Sequence, residues 1–183
     1  MIVVLDDALP ARRLSCSGCG GSFTPWGYGR RRTIRERRGV HRVVRPRRVR
    51  CGGCRVTHVL LPAVCVPRRA DSVQTIGSAL LAKAGGRGHR AIATELGVPA
   101  GTVRGWMRRA DAHADRVRGE ATRLAYLADP LLGPAEPTGS ALGDALEALG
   151  RAVAALVRRI GPIGAPWSLA AIIARGLLAP LRC

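Results

Sequence analysis

Two Cys-x-x-Cys pairs, Cys16 with Cys19 and Cys51 with Cys54, are the residues of this chain whose type and spacing point most directly to chemistry. A two-residue gap lets both thiolates of a pair reach one ion, and four such donors suit the tetrahedron that Zn2+ prefers. Gly18, Gly20, Gly52 and Gly53 lie in or beside the pairs, where the chain has to turn tightly. The expectation is a structural zinc site on Cys16, Cys19, Cys51 and Cys54. His58 and Cys65, just past the second pair, are alternative ligands, although a strand-end histidine and a small buried thiol are their plainer readings. A disulfide framework would need an oxidising compartment. Against that, Met1 to Pro10 offers only Ile2 to Leu5 as an apolar run before Asp6 and Asp7, far short of a secretory segment. No apolar run is long enough to suggest a membrane span, and Cys183 carries no spacing signal.

The pairs bracket 31 residues crowded with arginine. Of the formal net charge of +18, residues 1–70 carry +13, residues 71–123 carry +4 and residues 124–183 carry +1. Only Lys83 among the basic residues is a lysine, and alanine is abundant, a pattern of GC-rich coding that inflates arginine throughout. The uneven distribution survives that discount. Such a surface attracts polyanions by counterion release, and arginine adds bidentate contacts to phosphate. Nucleic acid is the expected partner. A membrane surface fits poorly, because the basic stretch lacks the apolar face of an interfacial helix.

The elements that must position these residues follow from periodicity. Leu14 to Cys54 reads as short antiparallel strands broken by turns, with Val40, Val43, Val44 and Val49 set between arginines. Trp26 is expected to pack against this ribbon rather than to stack on a base. Val56 to Pro62 reads as a last strand and Pro62 to Pro67 as a connector. A helix follows from Ser72 as N-cap to Gly85-Gly86, with Val73, Ile76, Leu80 and Leu81 on one face.

From His89 to Arg108 the pattern is that of a helix-turn-helix. Ala93 is small where helices cross, Gly97 supplies a positive φ, Pro99 opens the second helix, and Ile92, Leu96, Val98, Val103 and Trp106 form the shared seam. The second helix, about Ala100 to Ala110, would enter the major groove of double-stranded DNA. Arg104 is the candidate for a base edge, since arginine reads guanine bidentately. Thr102, Arg108 and Arg109, with Arg87 and Arg90 on the preceding helix, are candidates for phosphate, as are Arg47 and Arg48 on the ribbon. Few other groups on that helix can hydrogen-bond, so its sequence readout should be modest.

Beyond Asp111 the helix continues to about Ala128, and a proline- and glycine-rich linker covers residues 129–140. Leu142, Ala145, Leu146, Leu149, Val153, Leu156, Val157 and Ile160 then recur at helical spacing, and Trp167 to Leu178 reads as a final helix. These helices either pack back on the preceding domain or form a homodimer interface.

The cysteine pairs, the run Arg47 to Cys54, Thr57 to Pro62, Gly88 to Ala93 and Thr102 to Trp106 together resemble an uncharacterised bacterial family that joins a zinc ribbon to a helix-turn-helix. The tail with Trp167 and Arg175 to Leu178 is similar to that family's C-terminus. Both modules are similar to the N-terminal DNA-binding region of insertion-sequence transposases. Transposase catalysis uses a carboxylate triad holding two metal ions, whereas Asp129, Glu136, Asp144 and Glu147 lie here on a linker and an amphipathic helix. The expected fold is α+β, with a zinc ribbon at 1–66, a helix-turn-helix domain at 67–128, a linker at 129–140 and C-terminal helices at 141–183. The expected function is non-catalytic DNA binding in a bacterial cytoplasm, at the nucleoid, as a transcriptional regulator or a transposase-derived accessory protein. An RNA-binding ribbon, or a module whose arginines meet an acidic protein, are the alternatives.

Overall fold

A computed structural model of the chain describes residues 2–5, 14–162 and 164–174. It is α+β, with cysteine-bearing strands first and helices after. Strands β1 (Ile2–Leu5), β2 (Phe23–Tyr28), β5 (Arg47–Cys51) and β6 (Thr57–Pro62) form one sheet in the order β1-β6-β5-β2, while β3 (Arg32–Arg35) and β4 (His41–Val44) form a separate hairpin. The antiparallel expectation holds for β2-β5, β5-β6 and β3-β4, but β1 pairs with β6 in parallel, Ile2 opposite Val59. A four-residue apolar run followed by acidic residues gives no sign of that partner.

Strand β6 sits between two small cores because successive side chains point to opposite faces. On one face Leu60 joins Cys16, Phe23, Val49 and Cys51; on the other Leu61 joins Ile34 and Val44 of the hairpin and Cys65. Cys65 is thus a small buried thiol within apolar packing. The hairpin is tied to the helices by Arg35, whose guanidinium makes a two-pronged contact with the buried Asp71 at 2.9 and 3.2 Å. Backbone bonds Arg35 N–H to Ala70 C=O and Ser72 N–H to Arg35 C=O run alongside it.

Helix α1 (Val73–Ala84) is capped by the Ser72 hydroxyl, which accepts from the Thr75 N–H. Its inward face carries Val73, Ile76, Ala79 and Leu80; Leu81, expected on that face, is 51% exposed because it falls one position past the stripe. Helix α2 (His89–Leu96) ends at Gly97, whose φ of 66° is left-handed, and after a three-residue turn α3 (Ala100–Ala128) runs unbroken for 29 residues. Ile92, Ala93, Leu96, Val98, Val103 and Trp106 are all buried in the shared seam. That agreement of small, apolar and left-handed positions was legible in the chain.

Helix α4 (Ala141–Ile160) packs along the second half of α3 through small residues, with Val117, Ala121 and Ala125 on the stretch of α3 level with Ala145, Ala148 and Ala152. The two run in the same direction, since Arg118 meets Asp144 near their middle and start, and Arg158 meets Asp129 near their ends. Residues 129–140 therefore double back along α3. Arg151 donates to the carbonyls of Gly133 and Pro134, which straps this return segment down. The last turn of α4 leaves the core: Leu156 and Val157 are half-buried and Ile160 is exposed. Helix α5 (Pro166–Ile173) lays Trp167 on α1 at Gly77, where a Cβ would intrude on the indole ring. The C-terminal helices thus pack back on the preceding ones, in one core that reaches from Val66 to Ala174. Leu178, Cys183 and the Arg175 to Leu178 segment of the resemblance lie outside the described residues.

Candidate metal centre and basic surface

The sequence brings four thiols to one point by repeating one turn twice. In the first pair the Cys16 N–H donates to Gly21 C=O and the Gly20 N–H to Cys16 C=O; in the second, Cys51 N–H donates to Val56 C=O and Arg55 N–H to Cys51 C=O. The residue after each second cysteine, Gly20 or Arg55, is left-handed. The four sulfurs lie within 4.8 Å of one another, with Cys16 to Cys54 at 3.7 Å and Cys19 to Cys51 at 3.4 Å. A tetrahedron of metal–sulfur bonds near 2.3 Å has edges of about 3.8 Å. The donor set and its spacing therefore fit one metal ion, and the described cysteines form no disulfide.

The surroundings point the same way. A Cβ at Gly21 would lie 2.9 Å from the Cys51 sulfur and 3.4 Å from that of Cys19, so only glycine lets the backbone close over the thiols. Gly21 falls just outside the Cys-x-x-Cys spacing and was not singled out from the sequence. The Gly21 N–H, with the Cys51 and Cys54 neighbours, holds the Cys19 thiol down to about 6. At Cys54 the Val56 N–H works against burial and the other three thiols, and the balance pushes the group up to about 11. Four thiols at this spacing resist ionising together, and a divalent cation removes that conflict.

His58 is the second residue of β6, at the end of the strand nearer the thiols. It is fully buried, its ring tilted against Phe23, and burial pushes its pKa down, keeping the imidazole neutral. Its Nε2 is 3.6 Å from the Cys16 sulfur, and its Nδ1 has no partner. The four thiols alone supply a tetrahedral donor set, and His58 stands beside it with Nε2 at hydrogen-bond distance from Cys16; against a metal-bound thiolate, which only accepts, that nitrogen would carry the proton.

Residues 16–106 match the model of a family described as Domain of unknown function (DUF6431). No curated protein and no solved structure matches the chain. The matched span runs from the first thiol to the last seam residue of the α2–α3 turn, and so takes in the metal centre, the hairpin and the first two turns of α3.

The basic side chains divide by exposure. Arg104 and Arg108 are exposed one turn apart on α3, and Arg90 is exposed on α2, whereas Thr102 and Arg109 are half-buried. Arg87 is exposed but engaged: it pairs with Glu95, which Arg37 of the β3-β4 turn also approaches at 4.0 Å. Glu95 thus bridges the hairpin and α2, a role that an isolated acidic residue in a helix does not announce. Arg47 and Arg48 are half-buried on β5. Arg69, just before α1, has a buried Nε without a partner and lies close enough to Arg109 to feel its charge. Beside Arg104 and Arg108 the helix surface is low: a Cβ at Gly101, one turn before Arg104, or at Gly105, between the two, would meet no atom within 4 Å. Trp26, expected to pack against the ribbon, lies against it on one face only: the Arg50 guanidinium of β5 is 4.7 Å from its ring centre, and the side chain is otherwise exposed. Among the described residues no helix is long and apolar enough to cross a membrane.

Proposed function

We propose that the chain is a non-catalytic, zinc-stabilised protein that binds double-stranded DNA. In this reading α2, the Gly97 turn and α3 act as a helix-turn-helix, with the first turns of α3 in the major groove. The observation that carries it is the division of α3 at its start: Val103 and Trp106 are sealed into the seam while Arg104 and Arg108 stand exposed beside two open glycines. Arg104 would read guanine, and Arg90, Arg108 and Arg109 would meet phosphates. Arg47 and Arg48 would add contacts from the sheet. Zinc at the four thiols would fix that sheet, which has too little apolar core to hold its shape unaided. The reading places the protein at the nucleoid, as a transcriptional regulator or a transposase-derived accessory factor.

The test is selection of duplexes from a random pool, followed by titration of the recovered site. Affinity should fall steeply between about 50 and 200 mM salt. Arg104→Ala should cost about 1–3 kcal/mol of discrimination at one base pair, while Arg37→Ala or Arg38→Ala should weaken all sequences alike. Equal effects from the three variants would refute the division of labour.

A further inference from the structure

Strand β2 has exposed aromatic chemistry that a duplex-reading helix leaves unused. It is an edge strand, and it carries Trp26 and Tyr28 two positions apart, 49% and 57% exposed. Each ring has one face covered by an arginine: Arg50 at 4.7 Å over Trp26, Arg45 at 5.0 Å over Tyr28. The edge itself is unsuited to adding a peptide strand, since Pro25 lacks an N–H, Gly27 has a φ of 82° and the pairing register shifts between Pro25 and Tyr28. A paired base, stacked inside a duplex, cannot reach a ring on the protein. An unpaired base can, and stacking on an aromatic ring beside a guanidinium is how single strands are held without regard to sequence.

We infer that Trp26 and Tyr28, backed by Arg50 and Arg45, bind unpaired bases of single-stranded DNA, as a site separate from α3. The choice of DNA over RNA rests on the duplex-DNA function proposed above; the stacking chemistry does not. The arginines serve twice, holding each ring in place and offering charge to the backbone that links the bases. A strand leaving the end of a duplex, or opened within it, would thus be gripped by the sheet.

The test uses the full zinc-loaded chain and three probes of one length: oligothymidine, a blunt duplex and oligouridine. Trp26→Ala and Tyr28→Ala should each weaken oligothymidine binding by about fivefold or more and leave the blunt duplex unaffected, with Trp26→Phe retaining most of the affinity. Both side chains are exposed, so metal content and circular dichroism should match the parent and confirm intact folding. The inference is overturned if oligothymidine is not bound, if the alanine variants bind it as the parent does, or if they lose as much affinity for the duplex. Tighter binding of oligouridine than of oligothymidine overturns the assignment to DNA. Ring-dependent binding of oligothymidine without duplex binding would count against the proposed function and in favour of this site.

Discussion

At the scale of single residues, the candidate metal site is defined as much by the neighbours of its four thiols as by the thiols themselves. Cys16→Ser or Cys51→Ser should abolish the one metal ion per chain, read by elemental analysis, and unfold the sheet, because two sulfurs on each side are needed to close the tetrahedron. His58 offers a finer test. His58→Phe removes the N–H facing Cys16 and should lower zinc affinity by about 10- to 100-fold in competition with a chelator, while His58→Gln, which keeps a donor, should recover part of it. Equal affinity in both variants would mean that the ring only fills space. Gly105 poses the opposite question, since nothing surrounds it. Gly105→Ala should stabilise α3 by about 0.5–1 kcal/mol in thermal melts and weaken duplex binding where the added methyl meets the groove. Stabilisation without loss of affinity would remove this face from the DNA contact. The four thiols were legible in the sequence because their spacing encodes a geometry. Gly21 and the His58 contact were not, because they depend on which strand crosses behind the first turn.

Among elements, the join between sheet and helices rests on the hairpin. Arg35 of β3 and Asp71 before α1 form a pair in which the carboxylate is buried, and the backbone is stitched on both sides of it. Hydrogen bonds to charged groups are worth about 1.5–3 kcal/mol, so Asp71→Ala should lower stability by that amount in urea unfolding. It should also free Arg37 from its position near Glu95, detectable as faster amide exchange in α2. Helices were the readable part of this architecture: caps at Ser72, the turn at Gly97 and the 3.6-residue stripes mark the limits of α1 to α4 within a residue or two, whereas α5, expected to run to Leu178, ends at Ile173. The strands were harder. Their arginines hide the alternation, β1 pairs with a segment far away in the sequence, and nothing local distinguishes a return strap at residues 129–140 from a free linker.

For the whole molecule, the question is what remains open on the helical side. Leu146, Leu149, Val153 and Val157 of α4, with Leu81, Pro166 and Trp167, line an apolar groove of about 430 Å3. A homodimer through the C-terminal helices would cover it and, under the proposed function, would present two copies of α3 to paired half-sites. Light scattering should then report twice the chain mass, and Ala154→Asp, at an exposed position lining the groove, should halve it while leaving helix content intact. A monomer at all concentrations would instead leave each chain to find a single half-site.

The seam between α3 and α4 is built from methyl groups facing methyl groups, and this limits how the protein can drift. Apart from Val117, the buried positions of this stretch, Ala121 and Ala125 on α3 and Ala145, Ala148 and Ala152 on α4, hold almost the smallest side chain a buried helix position can carry. A position filled by leucine can be exchanged for several residues of similar volume; one filled by alanine in a close contact accepts only growth, which drives the helices apart, or glycine, which loosens them. Among variants of this chain, this row of alanines should therefore stay nearly silent, while the exposed arginines that make no contact in the fold change freely.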